Sequence, residues 1–272
     1  MKLARAAALA FALALAAPAH AQLGERNQLG VRMGHVHVLA RDVETQKRFW
    51  TEMIGGTLVH NGALDMIEFP GVYVVLTAAQ DPPAPAGAIV DHFGFMVKDF
   101  AAALARWKAA GIELEPLENP NEVYVRGPDG IRVEVYGEPA LAGTISVTHV
   151  HLYPDDVPAI KAWYVKMFGA NPSRRACIAC ISRPRMYETA DIAAVNLTLT
   201  PSDQARAPTR GRTIDHIGFD VEDLDAFVRT LAAKGVSLEG PVQRIPGTSV
   251  KSAFLTDPWG TRIELTEGLA PR

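Results

Sequence analysis

His92-Phe-Gly-Phe-Met-Val-Lys-Asp99 and His216-Ile-Gly-Phe-Asp-Val-Glu-Asp223 write one pattern twice: a histidine opens an apolar strand and an aspartate follows seven residues on. His35-Val-His-Val-Leu-Ala-Arg-Asp42 and His149-Val-His-Leu-Tyr-Pro-Asp-Asp156 write it twice more. Each segment precedes a stretch with helical periodicity, so the chain reads as four modules. Two modules also end in a strand bearing a glutamate, at Arg-Val-Glu134-Val and Arg-Ile-Glu264-Leu. The same histidine at the same strand position, four times, points to paired modules that assemble metal sites.

Module one runs from about Met33 to Thr77, and the Pro-rich Asp81–Gly87 after it has no helix or strand potential. Module two closes near Tyr136, and Gly137–Thr144 bridges to module three, which begins at Thr148. The polar stretch Ser202–Arg212 leads to module four, which closes near Thr266. Phe49, Trp50 and Met53 recur as Trp163, Tyr164 and Met167, giving helices an apolar stripe that faces a sheet. The recurring aspartate stands where an N-cap would satisfy the first free N–H groups of each helix.

Length and charge narrow the function. At 272 residues the chain accommodates two ordinary domains, and a net charge of -3 without a Lys/Arg cluster argues against a nucleic-acid partner. Lys2 and Arg5 precede an Ala/Leu/Phe run that ends at the small-x-small pattern Ala19-His20-Ala21. This predicts a signal peptide over residues 1–21, cut near Ala21, and a periplasmic or secreted mature protein with no membrane span. Cys177 and Cys180 are the only cysteines. In an oxidising compartment, between a helix and the next strand, they predict a local structural disulfide rather than a redox pair or a zinc site.

The order strand, helix, three strands, given four times, resembles the vicinal oxygen chelate (VOC) superfamily, which includes glyoxalase I, fosfomycin- and bleomycin-resistance proteins and type I extradiol dioxygenases. The likeness rests on the His…Asp starts, the Phe49-Trp50 and Trp163-Tyr164 pairs before Gly55 and Gly169, and the turns Gly127-Pro-Asp-Gly130 and Asp257-Pro-Trp-Gly260. It implies an α+β fold of four βαβββ modules, paired into two VOC-type domains whose curved mixed sheets form cups. Taken in chain order, the domains are 30–138 (modules one and two) and 146–268 (modules three and four). The resemblance also implies metal ligands: His35, His92 and Glu134 in the first half, and His149, His216 and Glu264 in the second. Val75 and Asn196 occupy the fourth ligand places, where glyoxalase I has a second carboxylate or similar group.

Two histidines and one carboxylate suit Fe(II), with Mn, Zn or Ni as other divalent candidates. Strand alternation puts His37 and His151 on the ligand face, where they are candidate acid/base groups. Tyr124 lies ten residues before Glu134, where extradiol dioxygenases place a tyrosine near the substrate; Phe254 is its counterpart. Arg132 and Arg262, two residues before each glutamate, are candidate contacts for an anionic substrate or, equally, partners for a nearby carboxylate. No histidine stands just upstream of the Tyr124 position, a departure from the catechol-cleaving pattern. The expected function is therefore a metal-dependent enzyme acting on a small molecule, first an Fe(II) extradiol-like dioxygenase. The alternatives are a glyoxalase-like lyase or isomerase and a bleomycin-resistance-like binding protein, as monomer or homodimer. The second half, with the better family turn before Glu264, is the favoured working half.

Overall fold

The computed structural model describes residues 23–271, so the expected signal peptide lies outside the described residues. Module one holds β1 (Val31–Ala40), helix α1 (Val43–Arg48) running into a π-helical turn (Phe49–Ile54), β2 (Thr57–Asn61), β3 (Leu64–Phe69) and β4 (Val72–Ala78). Module two holds β5 (Val90–Val97), α2 (Phe100–Ala109), β6 (Leu114–Pro116), β7 (Glu122–Arg126) and β8 (Arg132–Gly137). Module three holds β9 (Ile145–Leu152), α3 (Val157–Phe168), β10 (Asn171–Ala176), β11 (Met186–Ile192) and β12 (Val195–Leu199). Module four holds β13 (Ile214–Val221), α4 (Leu224–Ala233), β14 (Gln243–Arg244), β15 (Lys251–Thr256) and β16 (Arg262–Glu267). The repeating aspartates are N-caps: Asp42, Asp99, Asp156 and Asp223 accept from the N–H three residues on, at 3.1, 2.9, 2.9 and 2.8 Å. Each cap is worth about 1 kcal/mol. Among the described residues no helix is long and apolar enough to cross a membrane.

The strand order corrects one expectation. Modules one and two do not share a cup, and neither do modules three and four. One sheet runs β14-β15-β16-β13-β1-β4-β3-β2, joining modules one and four, and the other runs β10-β11-β12-β9-β5-β8-β7-β6, joining modules two and three. Connection length supplies the physical reason. The short bridge between β8 and β9 keeps β9 beside β5, where the two pair antiparallel. The longer Pro-rich and polar linkers instead cross together from one sheet to the other, bonded to each other by Ile89 N to Ala207 O at 2.9 Å and Thr213 N to Pro83 O at 2.9 Å.

Modules one and two, and modules three and four, meet elsewhere. Trp50 of module one stacks on Phe93 of module two at 5.3 Å, and Phe69 meets Phe95 at 4.6 Å. Gln46 donates to Asp129 of the module-two turn at 3.0 Å, and Tyr164 donates to Asp257 of the module-four turn at 2.9 Å. One continuous apolar core therefore lies between the sheets and carries residues of all four modules. The other face of each sheet is left to form a cup.

Candidate metal centres

In the first cup His35, His37, His216 and Glu264 converge, with one ligand atom from each lying within 4.8 Å of the others. His35 and His37 share a face of β1, and β13 brings His216 into register opposite His37. Glu264 enters from β16, whose Glu264 stands beside Gly218. Its Oε2 lies 3.0 Å from His35 Nε2 and 3.1 Å from His216 Nε2.

The second cup repeats this with His92, Glu134, His149 and His151, again within 4.8 Å. Glu134 Oε2 lies 2.9 Å from His92 Nε2 and 3.7 Å from His149 Nε2, while His151 Nδ1 comes within 3.2 Å of His92 Nε2. All six expected ligands are thus brought together, but in the sets His35/His216/Glu264 and His92/His149/Glu134. Neither half of the chain holds a complete set, so the preference for the second half has no structural counterpart.

The difference between His-x-His and His-x-Gly in the repeats has a steric cause. Gly218 lies opposite His35 and Gly94 opposite His149. A Cβ on Gly218 would fall 2.0 Å from His35 Cε1, and one on Gly94 would fall 2.4 Å from His149 Cε1. The glycine of one module makes room for the imidazole of its partner.

Hydrogen bonds orient the rings. His92 Nδ1 bonds Asp91 at 2.9 Å and His216 Nδ1 bonds Asp215 at 2.5 Å, which aims each Nε2 at the cluster. His37 Nε2 bonds Thr77 Oγ1 at 2.8 Å and His151 Nε2 bonds Thr200 Oγ1 at 2.8 Å, which turns each Nδ1 inward. His37 and His151, expected to work as acid/base groups beside the ligands, therefore stand within ligand reach themselves.

Arg132 and Arg262 take the second of their two expected roles, each pairing with a nearby carboxylate. Arg132 pairs with Asp91 and lies 4.3 Å over the Tyr124 ring; Arg262 pairs with Asp215 at 2.8 Å and lies 4.1 Å over the Phe254 ring. A buried aspartate beside a buried histidine needs a counter-charge, and these guanidiniums supply it. Tyr124 stands opposite Glu134 and edge-on to His92 at 5.1 Å, so it does face the second cluster. The register also revises the fourth ligand place. Tyr73 lies opposite His35 and Val75 opposite His37, whereas Asn196 lies opposite His149.

The clusters fit a divalent ion. His35 Nδ1 and Nε2, His37 Nδ1 and His149 Nε2 are buried without a hydrogen-bond partner, and the close approach of His35 Nε2 to Glu264 lacks hydrogen-bond alignment. Orphaned imidazole nitrogens around a buried carboxylate are what a bound cation would satisfy. Burial opposes ionisation of both glutamates, but the neighbouring histidines outweigh it and hold Glu134 and Glu264 well below the usual carboxylate range. Burial and adjacent imidazoles keep His37 and His151 neutral, and burial also lowers His35 and brings His149 to about 4. His92 and His216 move the other way, because bonds to Asp91 and Glu134, and to Asp215 and Glu264, overcome the cost of burial.

The sequence profile of the Glyoxalase/Bleomycin resistance protein/Dioxygenase superfamily matches residues 32–135 and again 146–265. The chain belongs to that superfamily. Within the superfamily fold it is similar to glyoxalase I from Zea mays, with 18% identity, a TM-score of 0.69, and coverage of 87% of this chain and 92% of that one. It is also similar to a Bacillus subtilis protein with a suggested dioxygenase activity, at 15% identity and a TM-score of 0.60, covering 89% of this chain and 86% of that one. No curated protein matches the chain in sequence. At these identities the likeness to solved superfamily members is one of fold.

Sequence reading missed Asp91 and Asp215, although each immediately precedes its histidine in a repeated Asp-His pair. It also missed Glu122, two residues before Tyr124 on the same face, whose carboxyl is pushed up to about 8 by burial and by Glu134. Cys177 and Cys180 form the expected local disulfide.

Proposed function

We propose that this superfamily member is an exported, divalent-metal-dependent enzyme, with Fe(II) the preferred metal and a dioxygenase reaction on a small, oxygen-chelating molecule such as a phenol. The observation that carries the reading is the duplicated cluster of buried histidines around one glutamate, with imidazole nitrogens left unpartnered. The Cys177–Cys180 disulfide supports an oxidising compartment.

His92, His149 and Glu134 would hold the metal in one cup, and His35, His216 and Glu264 in the other. The bound ion would supply Lewis acidity toward vicinal oxygens and, as iron, a place for O₂. Asp91 and Asp215 fix the His92 and His216 tautomers. In the second cup His151 Nε2 shares a hydrogen bond with Thr200, and with the proton on that nitrogen Nδ1 would keep a lone pair for a substrate proton. Tyr124 adds a hydroxyl opposite Glu134.

A second reading is a glyoxalase-like lyase or isomerase. It is favoured by His37 and His151, which offer each cluster a fourth protein donor in place of glyoxalase's second carboxylate. Metal analysis of anaerobically purified protein, followed by oxygen uptake with a panel of catechols, separates the two. Iron with Glu134-dependent uptake is the expected result. Turnover of a carbonyl substrate under nitrogen selects the lyase. Protein that carries no metal, and whose melting temperature no divalent ion shifts, rules out both and leaves a non-catalytic binding protein.

A further inference from the structure

The two cups hold the same ligands and opposite linings. Aligning the strands by register with the histidines pairs Val59 with Ser173, Leu64 with Tyr187, Met66 with Thr189 and Val75 with Thr198. The first cup is thereby apolar, and Leu23, Val250 and Leu269 pack into the same cluster. Asn61, in the remaining equivalent place, is consumed by the C-terminal segment, donating to Gly268 O at 2.9 Å and Ala270 O at 2.8 Å. The position matching Asn61 in the second cup is Arg175.

Arg175 sits on edge strand β10 opposite Tyr187 of β11, yet its Nε donates to Thr198 Oγ1 of β12 at 2.8 Å. Its side chain therefore crosses β11 toward β9, the strand that carries His149 and His151. Its Nη2 is buried without a partner, as are Thr189 Oγ1, Asp191 Oδ1 and Glu122 Oε2 on the same cup. Arg175 forms no ion pair among the described residues, unlike Arg132, which pairs with Asp91 and Glu115. A buried guanidinium N–H that has no hydrogen-bond partner and forms no ion pair, on the face of a polar cup, calls for an anionic oxygen.

Building on the metal-dependent reading of this cup, we infer that the second cup is the substrate site and that its substrate carries a carboxylate, received by Arg175, in addition to the oxygens that reach the metal. Arg175 is then a specificity-determining residue, and the first cup, lined by Val59, Met66 and Val75, takes no such ligand.

The test uses full-length mature protein reconstituted with redox-inert Zn(II), titrated calorimetrically with 3,4-dihydroxybenzoate and with catechol. The carboxylated probe is expected to bind roughly ten- to hundredfold more tightly, the size of one charge-assisted contact. Arg175→Gln should abolish that preference, and Arg175→Lys should retain part of it; zinc content reports that each variant still folds. Equal affinity for both probes in the wild type, or a preference that survives Arg175→Gln, overturns the inference while leaving the metal-chelation reading intact. Failure of both probes to bind the zinc-loaded protein overturns the two together.

Discussion

The cup shared by modules one and four and the cup shared by modules two and three present the same cluster of three histidines and one glutamate under different roofs. In the first, backbone locks to backbone across the rim, with Ala63 N bonded to Gly247 O at 3.0 Å, and an apolar cluster fills the space beneath. In the second, the rim is met by the disulfide-bearing β10–β11 hairpin, where Ser182 N donates to the Glu118 side chain at 2.7 Å and Asn119 reaches Ile178 O at 3.4 Å. Beneath it lie hydroxyls, a guanidinium and carboxyls. Both cups keep the same histidine–glutamate cluster, and the lining strands divide them into one suited to structure and one suited to a polar ligand.

The largest effect should come from taking away one cluster at a time. Gly94→Ala pushes a methyl into the His149 ring, and Gly218→Ala pushes one into His35. Two metal ions per chain should fall to one in either variant by elemental analysis. Activity should drop to background only with Gly94→Ala. Equal loss of activity in both variants would erase the division between the cups.

Next come the residues that aim the rings. Asp91→Asn and Asp215→Asn each weaken the bond that fixes a histidine tautomer and leave Arg132 or Arg262 short of a counter-charge. Each should lower metal affinity in its own cup by about 10–100-fold, read by competition with a chromogenic chelator. A change of the same size in both cups from one substitution would mean that the clusters are coupled through the shared core.

How far this was legible from the chain follows from what each feature depends on. The modules, helix caps and six clustered candidate ligands were readable because each rests on local periodicity or on one repeated residue, such as the aspartate seven positions after His35, His92, His149 and His216. Module pairing was not readable that way. It depends on which connections are long enough to cross between sheets, and four similar modules close cups in either arrangement. Arg132 and Arg262 were readable as partners for a nearby carboxylate, but not for which one, because Asp91 and Asp215 sit one residue before a histidine and on other strands. Arg175 stood in plain view beside Cys177. Its reach across β11 is a long-range property that strand alternation does not encode.

A stability comparison sharpens the contrast between the linings. Met66 is fully buried in the first cup, and Met66→Ala should cost about 2–5 kcal/mol by denaturant unfolding, because a cavity is left among Val59, Tyr73 and Val75. Its register counterpart Thr189 has a hydroxyl with no partner, so Thr189→Ala removes an unsatisfied group and should change stability by roughly 1 kcal/mol or less. Comparable costs at the two positions would mean that the second cup is packed as a core and not held open for a ligand.

The smallest effect belongs to the rim. Cys177 and Cys180 enclose so short a loop that losing their disulfide releases little chain entropy, so Cys177→Ser with Cys180→Ser should cost about 2 kcal/mol or less. The kinetic consequence should be the more informative one. The hairpin holds Ser182 and Ile178 against the opposite rim through side chains of Glu118 and Asn119, a weaker closure than the backbone lock of the first cup. Loosening it should speed metal release to a chelator from the second cup while leaving the first cup's rate unchanged. A biphasic release curve, with only its faster phase accelerated in the double variant, is the expected signature, and a uniform acceleration would place the disulfide's influence in the shared core instead.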